Sequence, residues 1–157
     1  MDLKQLYQDI ILEHGKSPRN FGRCEKFTHK AKGHNPLCGD QVQIYLKLND
    51  KKKIENLTFE GSGCAISIAS TSIMTELIKG KPLEITKKII IDFLNMIKNT
   101  SEIKSDNLND EQKTTIMSLS GVKQYPMRVK CATLPWHTLT YAIEGREEEV
   151  NTENTDQ

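Results

Sequence analysis

The chain has 157 residues, of which 36% are hydrophobic and 27% charged, as is typical of one domain with a modest core. Its 22 lysine and arginine residues nearly balance 21 aspartate and glutamate residues. It therefore lacks the basic excess with which nucleic-acid-binding proteins neutralise phosphates, and we expect no nucleic-acid partner. It has neither the roughly 18 consecutive apolar residues of a membrane span nor the apolar block of a secretory signal, so we expect no membrane partner and a cytoplasmic location.

The first third of the chain predicts one helix followed by a small set of strands. An amphipathic helix that ends at Gly15 is predicted by side chains that recur at helical spacing, at Leu3, Leu6, Tyr7, Ile10, Ile11 and His14. Residues 24–34 could form a strand, and residues 41–48 alternate between polar and apolar side chains, as in a half-buried strand. A turn at 49–51 then returns the chain into another strand over 54–60, which completes a hairpin.

The rest of the chain predicts helices. After the glycine turn at 61–63, the spacing of apolar residues changes from two to nearly four, which predicts helices at 66–77 and 89–97. The polar segment 99–110 predicts an exposed loop, after which 111–119 and 131–144 predict two more helices. The acidic segment 146–157 predicts a disordered tail.

This order of elements indicates an α+β fold, in which a small antiparallel sheet of about three strands packs against several helices. The sequence contains no internal repeats. We therefore interpret residues 1–145 as a single domain, followed by the tail over 146–157.

Three of the four cysteines occupy the ends of predicted elements. Cys38 lies in a turn before a strand, Cys64 follows a glycine turn before a helix, and Cys131 leads into the last long helix. Helix N-termini favour the thiolate form of a cysteine. Asp40, two residues after Cys38, points to the same face by the period of a strand. Three thiolates and one carboxylate suit tetrahedral zinc or one edge of an iron–sulfur cluster, so we expect a metal site at one end of the sheet.

The spacing of these cysteines leaves other interpretations open. The intervening stretches of 25 and 66 residues are unlike the close pairs of most zinc motifs. Each of these cysteines could instead be a small buried apolar residue. A site closed by four protein ligands is also compatible with a purely structural zinc ion in an interaction module.

The sequence around these cysteines resembles the U-type iron–sulfur assembly proteins, which comprise the NifU N-terminal domain, IscU and SufU. Three cysteine motifs occur in the same order as in that family, at residues 35–40, 61–70 and 128–137. The N-terminal residues 6–22 are also similar, and the resemblance extends from about residue 3 to residue 145. It is strongest to the SufU branch, because the polar segment at about 99–120 looks like the SufU insertion. In addition, Lys130 stands where IscU proteins carry a histidine before the last cysteine.

The resemblance to SufU implies a zinc ion bound by Cys38, Asp40, Cys64 and Cys131. It also implies a sulfurtransferase-like activity, in which sulfur is accepted as persulfide from a PLP-dependent cysteine desulfurase and passed on to cluster assembly. Cys38 is our candidate for the sulfur acceptor, and thus for the catalytic residue, because its turn is rich in glycine and proline and should be exposed.

The resemblance to IscU implies an alternative without enzymatic activity. In that case the cysteines would hold a transient [2Fe–2S] cluster and deliver it to recipient proteins. Asp40 bears on this choice, since carboxylate oxygen is common on zinc but unusual on iron–sulfur clusters.

Three further residues lie near the motifs or carry reactive groups. Cys24 matches no motif and is interpreted as a lone thiol. Arg128 and Lys130 flank the last cysteine with positive charge, which could stabilise an anionic site or simply be solvated.

Overall fold

The computed structural model of the chain describes residues 2–99, 103 and 106–155. Five α-helices and four strands occur within these residues. In chain order they are α1 (Leu3–Lys16), β1 (His29–Asn35), β2 (Asp40–Leu48), β3 (Ile54–Ser62), α2 (Ala65–Ile78), α3 (Leu83–Lys98), α4 (Asp110–Ser118), α5 (Val129–Glu144) and β4 (Val150–Asn151). Short 3₁₀ turns occupy Leu119–Gln124, Pro126–Arg128 and Thr152–Asn154. The prediction of an α+β fold is therefore confirmed.

The sheet has the strand order β3-β2-β1-β4. The first three strands are antiparallel, as predicted, and in register Asn35 pairs with Asp40 and Gln41 with Ser62. The hairpin turn after β1 and the end of β3 consequently lie at the same end of the sheet. This end is where the three cysteine motifs meet.

The fourth strand makes the sheet mixed rather than antiparallel, because β4 runs parallel to β1. The prediction of a disordered tail over 146–157 is wrong at this strand and at the 3₁₀ turn that follows it. Val150 is fully buried and pairs with Gly33, while Asn151 pairs with His34. One apolar side chain and the free hydrogen-bonding groups at the edge of β1 are enough to order this acidic segment. Residues 156 and 157 lie outside the described residues.

The expected exposed loop over 99–110 is also partly wrong. Ile103 and Leu108 are buried in the core, whereas residues 100–102, 104 and 105 lie outside the described residues. None of the described helices is both long enough and apolar enough to cross a membrane.

Helices α2 and α5 are hydrogen-bonded to each other near the ends that carry cysteines. The Trp136 indole of α5 donates a hydrogen bond to Ser70 Oγ of α2 (3.0 Å), and Ser70 Oγ donates to the carbonyl of Ala132 (2.6 Å). Trp136 is fully buried and stacks on Phe93 of α3 at a ring distance of 4.1 Å. This buried junction holds the N-terminal parts of the two helices against each other.

Candidate metal centre

Four segments converge at the end of the sheet where β1 passes into β2. Cys38 lies in the hairpin turn, and Asp40 is the first residue of β2. Cys64 is the N-cap of α2, and Cys131 lies in the first turn of α5. The turn is tight because Gly39 has a φ of +73° and its N–H donates to the carbonyl of Asn35 (2.9 Å). A residue with a side chain would be strained at such a φ angle.

Three of the four predicted ligands form one cluster of donor atoms. The sulfur atoms of Cys38 and Cys131 and a carboxylate oxygen of Asp40 all lie within 4.8 Å of one another. Asp40 and Cys131 are fully buried, while Cys38 is half-buried. Donors of this kind at this separation can hold a metal ion.

Cys64 borders this cluster without belonging to it. Its thiol lies beside that of Cys131, and its backbone N–H donates to Asp40 Oδ1 (2.8 Å). The hydrogen bond from Cys131 lowers the pKa of Cys64 to about 6, although burial opposes this shift. The same contact raises the pKa of Cys131, and burial acts in the same direction. Cys64 therefore lies beside both Cys131 and Asp40, next to the other three predicted ligands.

Positive charge reaches the cluster from the segment that precedes α5. The Arg128 guanidinium donates to Cys38 Sγ at 3.4 Å. Contacts with the thiols, first that with Cys131, raise the pKa of Arg128. By contrast, the Lys130 ammonium donates to the carbonyl of Thr152 (2.5 Å) and does not contact the thiols. Of the two flanking cations, only Arg128 acts directly on the cluster.

Sequence reasoning gave no role to Asn35, which the structure places at the cluster. Its Nδ2 group donates to Asp40 Oδ2 (3.0 Å) and to Cys131 Sγ (3.4 Å). An asparagine followed by proline is usually interpreted as a turn residue. The available signal was its place in the first cysteine motif, three residues before Cys38.

Cys24 lies away from the cluster, in agreement with its interpretation as a lone thiol. It is buried, and its sulfur accepts a hydrogen bond from the Asn56 side chain of β3 (3.5 Å). The three motif cysteines are thus separated from the fourth cysteine by both position and contacts.

The chain is similar to known proteins over most of its length. Residues 6–132 match the protein family described as the NifU-like N-terminal domain. The zinc-dependent sulfurtransferase SufU of Bacillus subtilis is 38% identical over 146 residues, which cover 93% of this chain and 95% of that protein. The iron–sulfur cluster assembly scaffold protein IscU of Streptococcus pyogenes serotype M1 is 33% identical over 141 residues, which cover 90% of this chain and 84% of that protein. The SUF-system protein FiSufU from Fervidobacterium islandicum AW-1 has a similar structure, with a TM-score of 0.78 at 36% identity, covering 88% of this chain and 97% of that one.

Gly63 is the residue at which the cluster is most sensitive to a small substitution. Its φ is +142°, and a Cβ atom there would lie 2.3 Å from Asp40 Oδ1 and 2.9 Å from Asp40 Cα. We expect Gly63→Ala to displace Asp40 and to weaken retention of added zinc about tenfold in a chelator competition, as is typical when a ligand's supporting contacts are lost.

Gly22→Ala is the matched control for this substitution. Gly22 has a similar φ of +134°, but nothing lies within 4 Å of the added Cβ. Both variants should lose about 1–3 kcal/mol of stability through backbone strain, and only Gly63→Ala should lose zinc. Equal zinc retention by the two variants would contradict this account of Asp40.

Proposed function

Because the chain belongs to the family of NifU-like N-terminal domains, we propose that it is an iron–sulfur cluster biogenesis protein that works as a zinc-bound sulfur acceptor. In this role it takes persulfide sulfur from a cysteine desulfurase and relays it to cluster assembly. The observation that carries the proposal is the grouping of two thiols and a buried carboxylate within 4.8 Å, next to a third thiol. The similarity to a zinc-dependent sulfurtransferase over 93% of the chain supports it.

The chemistry of the donor set fits zinc. Cys38, Asp40, Cys64 and Cys131 would hold the ion, which requires Cys64 to turn toward the other three donors. A bound zinc ion keeps its coordinating thiols deprotonated at neutral pH. The carboxylate of Asp40 suits zinc better than an iron–sulfur cluster, for which thiolates are the usual ligands.

Cys38 is our candidate for the thiol that receives sulfur. Cys131 is fully buried, whereas Cys38 is half-buried and lies between exposed side chains, those of Leu37 (59%) and Met127 (64%). A donor protein can therefore approach Cys38 from solvent. The Arg128 guanidinium donates to Cys38 Sγ, so a positive charge stands beside the sulfur that would receive the transferred atom.

Sulfur transfer to Cys38 follows the chemistry of thiol–disulfide exchange. The Cys38 thiolate attacks the terminal sulfur of a cysteine persulfide on the donor enzyme, and a sulfur–sulfur bond forms on Cys38. The sulfur–sulfur bond of the donor breaks, and its cysteine leaves as a thiolate. Electrons balance without an added oxidant or reductant, so Cys38 ends as a persulfide.

A PLP-dependent cysteine desulfurase is the partner that supplies this substrate, since its product is a protein-bound cysteine persulfide. Downstream cluster assembly or recipient proteins would take the sulfur from Cys38. The apolar side chains that flank Cys38 are suited to contact with such partners.

A second candidate function is that of a scaffold for a transient [2Fe–2S] cluster. The 33% identity to an iron–sulfur cluster assembly scaffold favours it. In this case iron would replace zinc as the metal bound at the same cysteines. Anaerobic incubation with iron and sulfide separates the two functions, since a scaffold gives a stable coloured product and a zinc-bound acceptor stays colourless.

We predict that Cys38→Ser abolishes sulfur acceptance. After incubation with a cysteine desulfurase and cysteine, peptide mass spectrometry of the wild-type protein should place an additional sulfur atom on Cys38. The serine hydroxyl is a far weaker nucleophile than a thiolate, so the variant should stimulate the desulfurase no more than a blank does. Cys24→Ser is the control and should behave as the wild type. Added sulfur on Cys24 or Cys131 would show that Cys38 is not the acceptor.

Asp40→Ala should distinguish three interpretations of the carboxylate. If Asp40 is a zinc ligand, the variant loses zinc and accepts less sulfur, because a coordination position is opened to outside ligands. If the chain is a scaffold, the variant instead holds a coloured cluster longer. If Asp40 only caps the turn, stability falls by about 1 kcal/mol and neither property changes. Zinc content, desulfurase stimulation and cluster lifetime are the three measurements.

A further inference from the structure

The C-terminal strap, which we define as residues 150–154, lies against the metal centre from the side of β1. Val150 and Thr152 are both fully buried. Val150 pairs with Gly33 and Asn151 with His34, so the strap follows β1 toward its last residue, Asn35. The strap lies outside residues 6–132, which match the family.

The strap reaches the metal centre through one buried chain of hydrogen bonds. Thr152 Oγ donates to Asn35 Oδ1 at 2.8 Å. The amide nitrogen of Asn35 in turn donates to Asp40 Oδ2 and to Cys131 Sγ, at 3.0 and 3.4 Å. Thr152 is thus two hydrogen bonds from two of the predicted ligands.

This chain of contacts fixes the orientation of the Asn35 carboxamide. A carboxamide has a donating side and an accepting side, and a half-turn exchanges them. The Asp40 carboxylate needs donors, as would the sulfur of Cys131 when a metal ion holds it as a thiolate, and a turned amide would present its oxygen to them instead. The hydroxyl proton of Thr152 pairs with Asn35 Oδ1 and so holds the amide with its nitrogen toward the ligands.

The strap is also held from α5, the helix that carries Cys131. The Lys130 ammonium donates to the carbonyl of Thr152 at 2.5 Å. Lys130 therefore anchors the same residue whose hydroxyl orients Asn35. The side chain of Lys130 thus contacts the strap and not the thiols, and its role is to hold the strap in place.

We propose that the C-terminal strap is a component of the metal centre, in which Thr152 and Asn35 act as positioning residues for Asp40 and Cys131. This inference rests on the proposed function, because it assumes that these two residues bind the metal. The partners behind a metal ligand typically change metal affinity by about 10–100-fold when they are removed. Loss of the Thr152 hydroxyl should therefore weaken zinc binding although Thr152 itself touches no metal.

The test compares three variants of the full chain by zinc affinity, measured by competition with a chelator. Thr152→Val keeps the shape of the side chain and removes the donor, so zinc affinity should fall about tenfold. Thr152→Ser restores the hydroxyl and should restore affinity. Thr86→Val is the matched control. Thr86 lies in α3, is also fully buried, and its hydroxyl donates to the carbonyl of Pro82. This variant should bind zinc as tightly as the wild type.

Two results would overturn the inference. One is wild-type zinc affinity in Thr152→Val. The other is an equal loss of affinity in Thr152→Ser or in Thr86→Val, which would show that the hydroxyl of Thr152 has no specific role.

A metal-free measurement separates failure of the strap from failure of the proposed function. In the metal-free protein, the side-chain amide resonances of Asn35 should shift in Thr152→Val and keep their wild-type positions in Thr152→Ser, as observed by NMR, because the Thr152 hydroxyl donates to Asn35 Oδ1. If the wild type binds no zinc while this difference persists, the proposed function fails and the positioning role stands. If the wild type binds zinc and neither measurement depends on the hydroxyl, the strap inference fails and the proposed function stands.

Discussion

The buried carboxylate of Asp40 is the constraint on which the metal centre depends. Asp40 is fully buried, and among the residues that the structure describes its partners are hydrogen-bond donors rather than a lysine or arginine. Burial of a carboxylate is costly unless it is paired with a positive charge or a metal ion. Two thiols within 4.8 Å supply the other donors that a cation would need. This grouping supports the proposal that a cation binds at this end of the sheet.

The rest of the fold delivers these groups to Asp40 from segments that are far apart in sequence. The β1–β2 hairpin brings Asn35 opposite Asp40 in register. The hydrogen bond between Trp136 and Ser70 holds α5 against α2, and the N-terminal ends of these two helices carry Cys131 and Cys64. Each contact is local and modest, but together they fix several donors around one carboxylate before any metal binds. Preorganisation of this kind leaves the half-buried Cys38 accessible to a partner protein.

Much of this arrangement could be predicted from sequence, and the failures have physical causes. Periodicity predicts α1 and the hairpin, since each of these elements buries one face. Helix α2 was predicted from its apolar residues at helical spacing, although the structure buries it on nearly all sides. The segment 146–157 predicts disorder because Val150 is its only strongly apolar residue. The segment is ordered by pairing with β1, which is more than 100 residues away in sequence and which local patterns do not indicate. The role of Asn35 was invisible for a similar reason. Its partners include Cys131 and Thr152, which come from the distant C-terminal part of the chain.

The most direct test of the central claim is X-ray absorption spectroscopy at the zinc edge of the zinc-loaded protein. If Cys38, Asp40, Cys64 and Cys131 bind one ion, the first shell should contain three sulfur atoms at about 2.3 Å and one oxygen at about 2.0 Å. Cys64 is the demanding part of this result, because its thiol borders the cluster in the structure without belonging to it. A first shell with four sulfur atoms, or with two or fewer, would contradict the account.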